Sequence, residues 1–143
     1  MKTSPTLKEF NRVFFSGNRI YHQMAQLSGL SDAAFNILYS LADLDGICCQ
    51  SDLCVVNMLP KQTVHSAIRS LQAEGYVTLE KGSGRRMRIC LTEKGWQLID
   101  DRIAPVTRAE DAALSAMTRA EQHLLIRLMG RYFDHLQKEA DRR

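Results

Sequence analysis

A chain of 143 residues, 45% apolar and 24% charged, is long enough to bury a core, and its composition excludes wholesale disorder. One domain, or one domain with a helical extension, accommodates that length. The formal net charge of +3 does not by itself select a polyanionic partner.

No apolar run approaches the roughly 18 residues that span a bilayer. The opening "MKTSPTLKEFNR" lacks the apolar stretch and cleavage site of a secretory signal, so a cytoplasmic protein without a membrane partner is expected. Cys48, Cys49, Cys54 and Cys90 form no paired framework, and in a reducing compartment they read as free thiols.

From about Thr6 to Leu27, the residues Phe10, Val13, Phe14, Ile20, Tyr21, Met24 and Leu27 recur at three- and four-residue steps, the period of an amphipathic helix. "SGLS" interrupts it, and Ser31 is placed to cap a second helix with Phe35, Leu38, Leu41 and Ala42 as its buried stripe, ending at "DLDG". A third, short helix is predicted to start at Cys49, with Asp52 as its capping-box acid and Leu53 and Val56 facing inward. Asn57 is expected to close it in the left-handed conformation. Pro60 suits the first turn of the next helix, which runs to Gly75.

On that helix Val64, Ala67, Ile68 and Leu71 fall in a narrow arc, while Gln62, Ser66 and Arg69 lie opposite with Thr63 and His65 at the flanks. Beyond Gly75, "YVTLE" and "MRICLT" alternate so that Val77, Leu79, Ile89 and Leu91 share a face, and "KGSGRR" joins them as a tight turn. Between Leu59 and Trp96 seven Lys and Arg side chains face three Glu, so the positive charge is local and the rest of the chain is slightly acidic. Helix resumes after Thr92, and Pro105 should kink or split it. Thr118 and Glu121 form a capping box for a last helix, striped by Leu124, Leu125, Leu128, Tyr132, Phe133 and Leu136.

The order of elements is mainly α with a small β wing, and its middle reads as a winged helix-turn-helix. In that geometry the second helix of the pair enters the major groove of DNA, about 12 Å wide. Gln62 and Arg69 are long enough for bidentate base contacts, Thr63 and Ser66 reach bases or phosphate, His65 lies at the edge of that face, and Lys61 meets phosphate at the helix start. Arg85, Arg86 and Arg88 crowd like charge onto the wing, which an anion would relieve. Arg85 heads for the groove, and Arg86 and Arg88 share a strand face.

These stretches also resemble the MarR family of bacterial transcriptional regulators. "LPKQTVHSAIRSLQAEGYV" is similar to the family's recognition helix, and "RICLTEKGWQLI" to its Leu-Thr-x-x-Gly exit from the wing. The N-terminal helix, "GLSDAAFNILYSLAD" and "MTRAEQHLLIRLMGRYFDHL" sit where its flanking helices sit, so the likeness covers nearly the whole chain. The chain departs from the family in Ser83, where the wing usually has an acid two residues before its arginine, here Arg85. It departs again in Val55 and Val56 within "CVVNML", and in Cys49 where Thr is common.

The resemblance implies a single domain over residues 1–143, with a winged helix-turn-helix lobe at about 30–95 and helical dimerisation regions at about 6–27 and 96–140. It implies a homodimer on a pseudo-palindromic operator, a repressor released by a small-molecule effector or an oxidant, with recognition helices roughly 34 Å apart. Phe10, Phe14, Leu125, Leu128, Tyr132, Phe133 and Leu136 are the expected dimerisation residues, because the end helices carry more apolar surface than one small lobe covers. The family's effector pocket lies between the helical region and the lobe, where Phe14, Tyr21 or Tyr39 are candidates for its lining.

Two alternatives stand beside this reading. One is a winged-helix module that binds protein instead of DNA, for which the recognition face would be apolar or acidic. The other is a thiol-based redox regulator acting through Cys49, whose helix N-terminal place favours thiolate, with Cys48 and Cys54 as candidate resolving thiols. His22, His65, His123 and His135 lack metal-ligand spacing, since positions twelve apart on a helix point about 120° away from each other, so no metal is expected. No cofactor and no enzymatic activity are expected either, as no nucleophile with an adjacent base, no phosphate loop and no paired carboxylates are present.

Overall fold

The computed structural model describes residues 3–57 and 59–142. Met58, part of the "CVVNML" stretch, lies outside the described residues. Among the described residues the architecture is mostly helical with one small antiparallel sheet. Two compact units divide the chain, Met1–Val106 and Thr107–Arg143.

The first unit opens with α1 (Pro5–Leu27), capped by Ser4, whose Oγ accepts the Leu7 N–H at 3.2 Å. Then comes α2 (Asp32–Asp43), where Ser31 takes the Ala34 N–H as expected. Phe35, Leu38 and Leu41 are buried and Ala42 packs at the margin; Ile37 is buried too. The chain then turns through Asp45, in the left-handed conformation, into Gly46. A Cβ on Gly46 would lie 2.6 Å from the Trp96 ring, so the turn is closed by an aromatic side chain that only glycine admits.

Next comes a strand the sequence did not announce, β1 (Ile47–Cys49). It pairs antiparallel with β3 (Met87–Leu91), and β2 (Val77–Lys81) pairs along the other side, giving the order β1-β3-β2. Three residues carry too little alternation to read as a strand by themselves; the open edge of β3 supplies the pairing. The hairpin registers Val77 against Leu91 and Leu79 against Ile89, so the four expected residues do share the inward face.

Cys49 thus ends a strand and stands directly before α3 (Gln50–Asn57). The Asp52 carboxylate accepts the Cys49 N–H at 3.0 Å, which is the acid half of the expected cap. Leu53 is fully buried, but Val56 is 59% exposed and does not face inward: α3 is short, and Leu53 is the residue it buries. Asn57 closes α3 through its side chain and not in the left-handed conformation. Its Nδ2 donates to the Leu53 carbonyl at 2.9 Å while its Oδ1 accepts the buried Ser40 hydroxyl at 3.2 Å, which ties α3 to α2.

Pro60 precedes α4 (Lys61–Ala73) as its N-cap residue, one place ahead of the expected first turn. Val64, Ile68 and Leu71 are buried and Ala67 partly so. Gly75, in the left-handed conformation, ends the helix region as expected.

The Leu-Thr-x-x-Gly exit has a direct physical basis. Thr92 caps α5 (Glu93–Arg102), accepting the Gly95 N–H at 3.0 Å, and its hydroxyl donates to the Gly75 carbonyl at 2.7 Å. Any Cβ on Gly95 would run into the Tyr76 carbonyl oxygen and the Leu91 side chain. Gly95→Ala is therefore expected to destabilise the fold by about 2 kcal/mol through overpacking against backbone that cannot yield. Chemical denaturation would show a lowered midpoint at unchanged slope, and an unchanged midpoint would refute the argument.

Helix α6 (Ala104–Ser115) restarts after Ile103, with Pro105 in its first turn, so the proline splits the helical stretch as expected. Ile99, Ile103 and Val106 close the core of the first unit. In the second unit α7 (Arg119–Asp141) starts on the expected box: Glu121 accepts the Thr118 N–H at 2.8 Å and Thr118 accepts the Glu121 N–H at 3.3 Å. Those bonds hold the Glu121 carboxyl below the usual carboxylate range. No described residue of α7 is buried; Leu124, Leu128, Phe133 and Leu136 are exposed, with Leu125 and Tyr132 half-buried.

Candidate nucleic-acid interface

The same 3.6-residue period that buries Val64, Ile68 and Leu71 turns the rest of α4 outward. Lys61, Gln62, Thr63, His65, Ser66 and Arg69 are all exposed. No hydrogen bond or ion pair to these side chains from the described residues is present, so their polar groups remain open to an outside partner.

The wing brings the second group. Its turn is closed by the Gly82 N–H donating to the Arg86 carbonyl at 2.8 Å, with Gly84 in the left-handed conformation. Arg85, Arg86 and Arg88 are exposed, but they are not equivalent. Arg86 lies before β3 rather than in it, so it does not share a strand face with Arg88. Arg88 is registered opposite Glu80 and approaches it at 3.5 Å, and its stem crosses Gly82. Arg85 and Arg86 turn instead into a hollow of about 460 Å³ between the wing and the starts of α3 and α4, together with Lys61, Cys49, Gln50, Ser51, Cys54 and Met87. Three cationic side chains therefore converge where two helices begin, a place that attracts an anion.

Gln50 and Ser51 were not singled out in the sequence. The Asp52 cap was the available signal, because it fixes both residues in the first, outward-facing turn of α3.

The thiols separate by position. Cys48 lies in the core and Cys90 is buried; burial pushes the Cys48 thiol up to about 12, with the Asp52 charge adding to it, and raises Cys90 as well. Cys49 and Cys54 are half-buried, and all four are free. Among the described residues no group of three His, Cys, Asp or Glu is placed to hold a metal ion, and no helix is long and apolar enough to cross a membrane.

Elsewhere in the first unit, α1 and α2 enclose a hollow of about 330 Å³ lined by Asn18, Tyr21, His22, Ala25, Asp32 and Asn36. His22 Nδ1 lies 2.8 Å from Asp32 Oδ2 at its edge. Of the three residues expected to line an effector pocket, Tyr21 is here, while Tyr39 packs against Phe35 with ring centroids 6.3 Å apart and Phe14 stacks on Phe10 at 5.9 Å.

Residues 28–86 match the model of the MarR family. Along nearly its whole length the chain superposes on a MarR family regulator from Neisseria meningitidis, with TM-score 0.82, 20% identity and coverage of 97% of this chain and 98% of that one. It also superposes on a Staphylococcus aureus MarR in complex with salicylate and kanamycin, with TM-score 0.73, 18% identity and 94% of each chain covered. A third match is Bordetella bronchiseptica BpsR, whose DNA binding is regulated by 6-hydroxynicotinic acid, with TM-score 0.67, 18% identity and coverage of 87% and 98%. A search of the curated proteins finds no match. The resemblance read from the sequence thus holds at the level these likenesses reach: residues 28–86 match the MarR family model, and nearly the whole chain shares the winged-helix fold of these MarR regulators.

Proposed function

We propose that this chain is a homodimeric, sequence-specific DNA-binding transcriptional regulator, a repressor released from its operator by a small molecule. The observation that carries the reading is the outward face of α4, polar, cationic and without protein partners among the described residues, set beside the unpaired wing arginines Arg85 and Arg86. In this reading Gln62 and Arg69 read base edges, Thr63, His65 and Ser66 contact bases or phosphate, and Lys61, Arg85, Arg86 and Arg88 meet the strand backbone and minor groove. Residues 30–95 act as the DNA-binding lobe, and residues 6–27 and 96–140 as the dimerisation region.

The exposed leucines of α7 support a second copy as their cover, and Phe10 and Phe14 of α1 and Tyr132 and Phe133 of α7 are the further dimerisation residues of this reading. Two structural neighbours are described with small molecules that bind them or regulate their DNA binding, which supports an effector of that size here. The hollow beside Tyr21 is the place proposed for it.

Footprinting on duplexes from beside the chain's own gene tests the reading: protection of two half-sites about one helical turn apart is expected. Arg69→Ala is expected to cost about 1–3 kcal/mol on the preferred sequence and little on others, flattening the sequence preference. A binding-selection profile that stays as sharp as that of the native chain would remove Arg69 from the base-reading set. If the native chain shows no duplex affinity even at low salt, the protein-binding alternative replaces the reading.

A further inference from the structure

The hollow beneath the wing contains two groups that duplex binding leaves unused. Cys49 and Cys54 line it, half-buried and free, beside Lys61, Arg85 and Arg86. Nearby carboxylates are already engaged: Asp52 accepts the Cys49 N–H at 3.0 Å, and Glu80 faces Arg88 at 3.5 Å. The three cations of the hollow form no ion pair among the described residues. A small reagent with negative charge is therefore drawn to the two accessible thiols and away from Cys48 and Cys90, which are buried.

We propose that this hollow is a thiol-modification site selective for small anionic disulfides, which convert Cys49 or Cys54 to a mixed disulfide. The cysteine gives its proton to solvent, and its sulfur attacks one sulfur of the reagent. A protein–reagent S–S bond forms, the reagent's own S–S bond breaks, and the departing thiolate leaves with the electron pair. The cysteine sulfur is oxidised and the departing sulfur reduced, so the reagent is itself the oxidant. The adduct sets negative charge among Lys61, Arg85 and Arg86, where the duplex reading places strand phosphate. That regulatory consequence rests on the DNA-binding reading, whereas the selectivity of the site does not.

The test uses the full chain and two probes, the dianionic 5,5′-dithiobis(2-nitrobenzoate) and the neutral 4,4′-dithiodipyridine, each rate divided by its rate on a free cysteine derivative. At low ionic strength the anionic probe is expected to be favoured roughly tenfold, and in about 1 M salt the preference should vanish. The same preference should disappear in the Arg85→Ala/Arg86→Ala chain. Mass spectrometry should place the adduct on Cys49 or Cys54, with Cys49→Ser and Cys54→Ser showing which. Equal normalised rates at low salt, or an adduct on Cys48 or Cys90, would overturn the site.

Duplex binding by the same adduct supplies the second arm. Loss of affinity that dithiothreitol reverses supports the regulatory consequence, and full retention overturns it. A chain that binds no duplex before modification instead refutes the DNA-binding reading and leaves the rate comparison to stand by itself.

Discussion

Replacing Arg85 and Arg86 together by alanine is expected to weaken binding to every duplex by roughly 50-fold at about 0.1 M salt, without changing which sequence is preferred. Each phosphate neutralised by a cation contributes about 0.9 to the slope of log affinity against log salt, so two lost contacts should flatten that slope by about 2. The expectation depends on position and not merely on charge. Both side chains border the hollow at the helix starts and have no ion pair among the described residues. Arg88 already leans on Glu80, so Arg88→Ala should cost less than either change beside it. Fluorescence anisotropy on two unrelated duplexes at four salt concentrations measures both quantities. A slope unchanged by the double substitution would show that the wing does not touch the strand backbone.

The contrast with Arg69 gives the interface its division of labour. Arg69 projects from the helix face expected to lie along base edges, so its loss should alter discrimination while leaving most of the salt dependence intact. The wing pair should do the reverse. Measuring both in one series separates a groove reader from a merely cationic surface, which would lose salt dependence in each variant and discrimination in neither.

What could be read from the sequence was whatever one local rule decides. Ser31 and Thr118 announced their helices because a cap needs only one side chain and the next turn of backbone. The outward face of α4 followed from the positions of Val64, Ile68 and Leu71. The exit glycine was recognised as a motif, but its reason, the Tyr76 carbonyl pressed against Gly95, appears only when β2 and α5 are brought together. Features that need a distant partner were missed. β1 exists because β3 offers an edge, and Val56 points outward because α3 has one buried turn to offer. Asn57 serves Leu53 and Ser40 through its side chain, a bond that no cap rule foresees. The hollow was hidden for the same reason: Gln50 and Cys54 on one side and Arg85 on the other meet only through the sheet and the start of α4. The individual exposed side chains of α4 and the wing can therefore be named from the sequence, while the cleft that gives two thiols a cationic setting cannot.

Changing Leu128 and Leu136 together to Asp is expected to convert the proposed dimer to a monomer while leaving each chain folded. Both side chains are 49% exposed in the single chain, and no described residue of α7 is buried, so the helix leaves Leu128 and Leu136 open to a partner. Covering four such half-exposed leucines, two from each copy, would remove them from water at about 1 kcal/mol each, or on the order of 4 kcal/mol in all. That corresponds to roughly a thousandfold in the dimerisation constant before any repulsion between the new carboxylates is counted. Because the leucines lie outside the core, the variant's far-ultraviolet circular dichroism should match that of the native chain. Sedimentation should shift from two copies to one. Duplex affinity should fall with it, since a lone lobe engages one half-site and loses the gain from linking two. A variant that stays dimeric would move the interface away from α7. A native chain that is already monomeric at micromolar concentration would remove the basis for a two-half-site operator, leaving at most a single lobe on a single site.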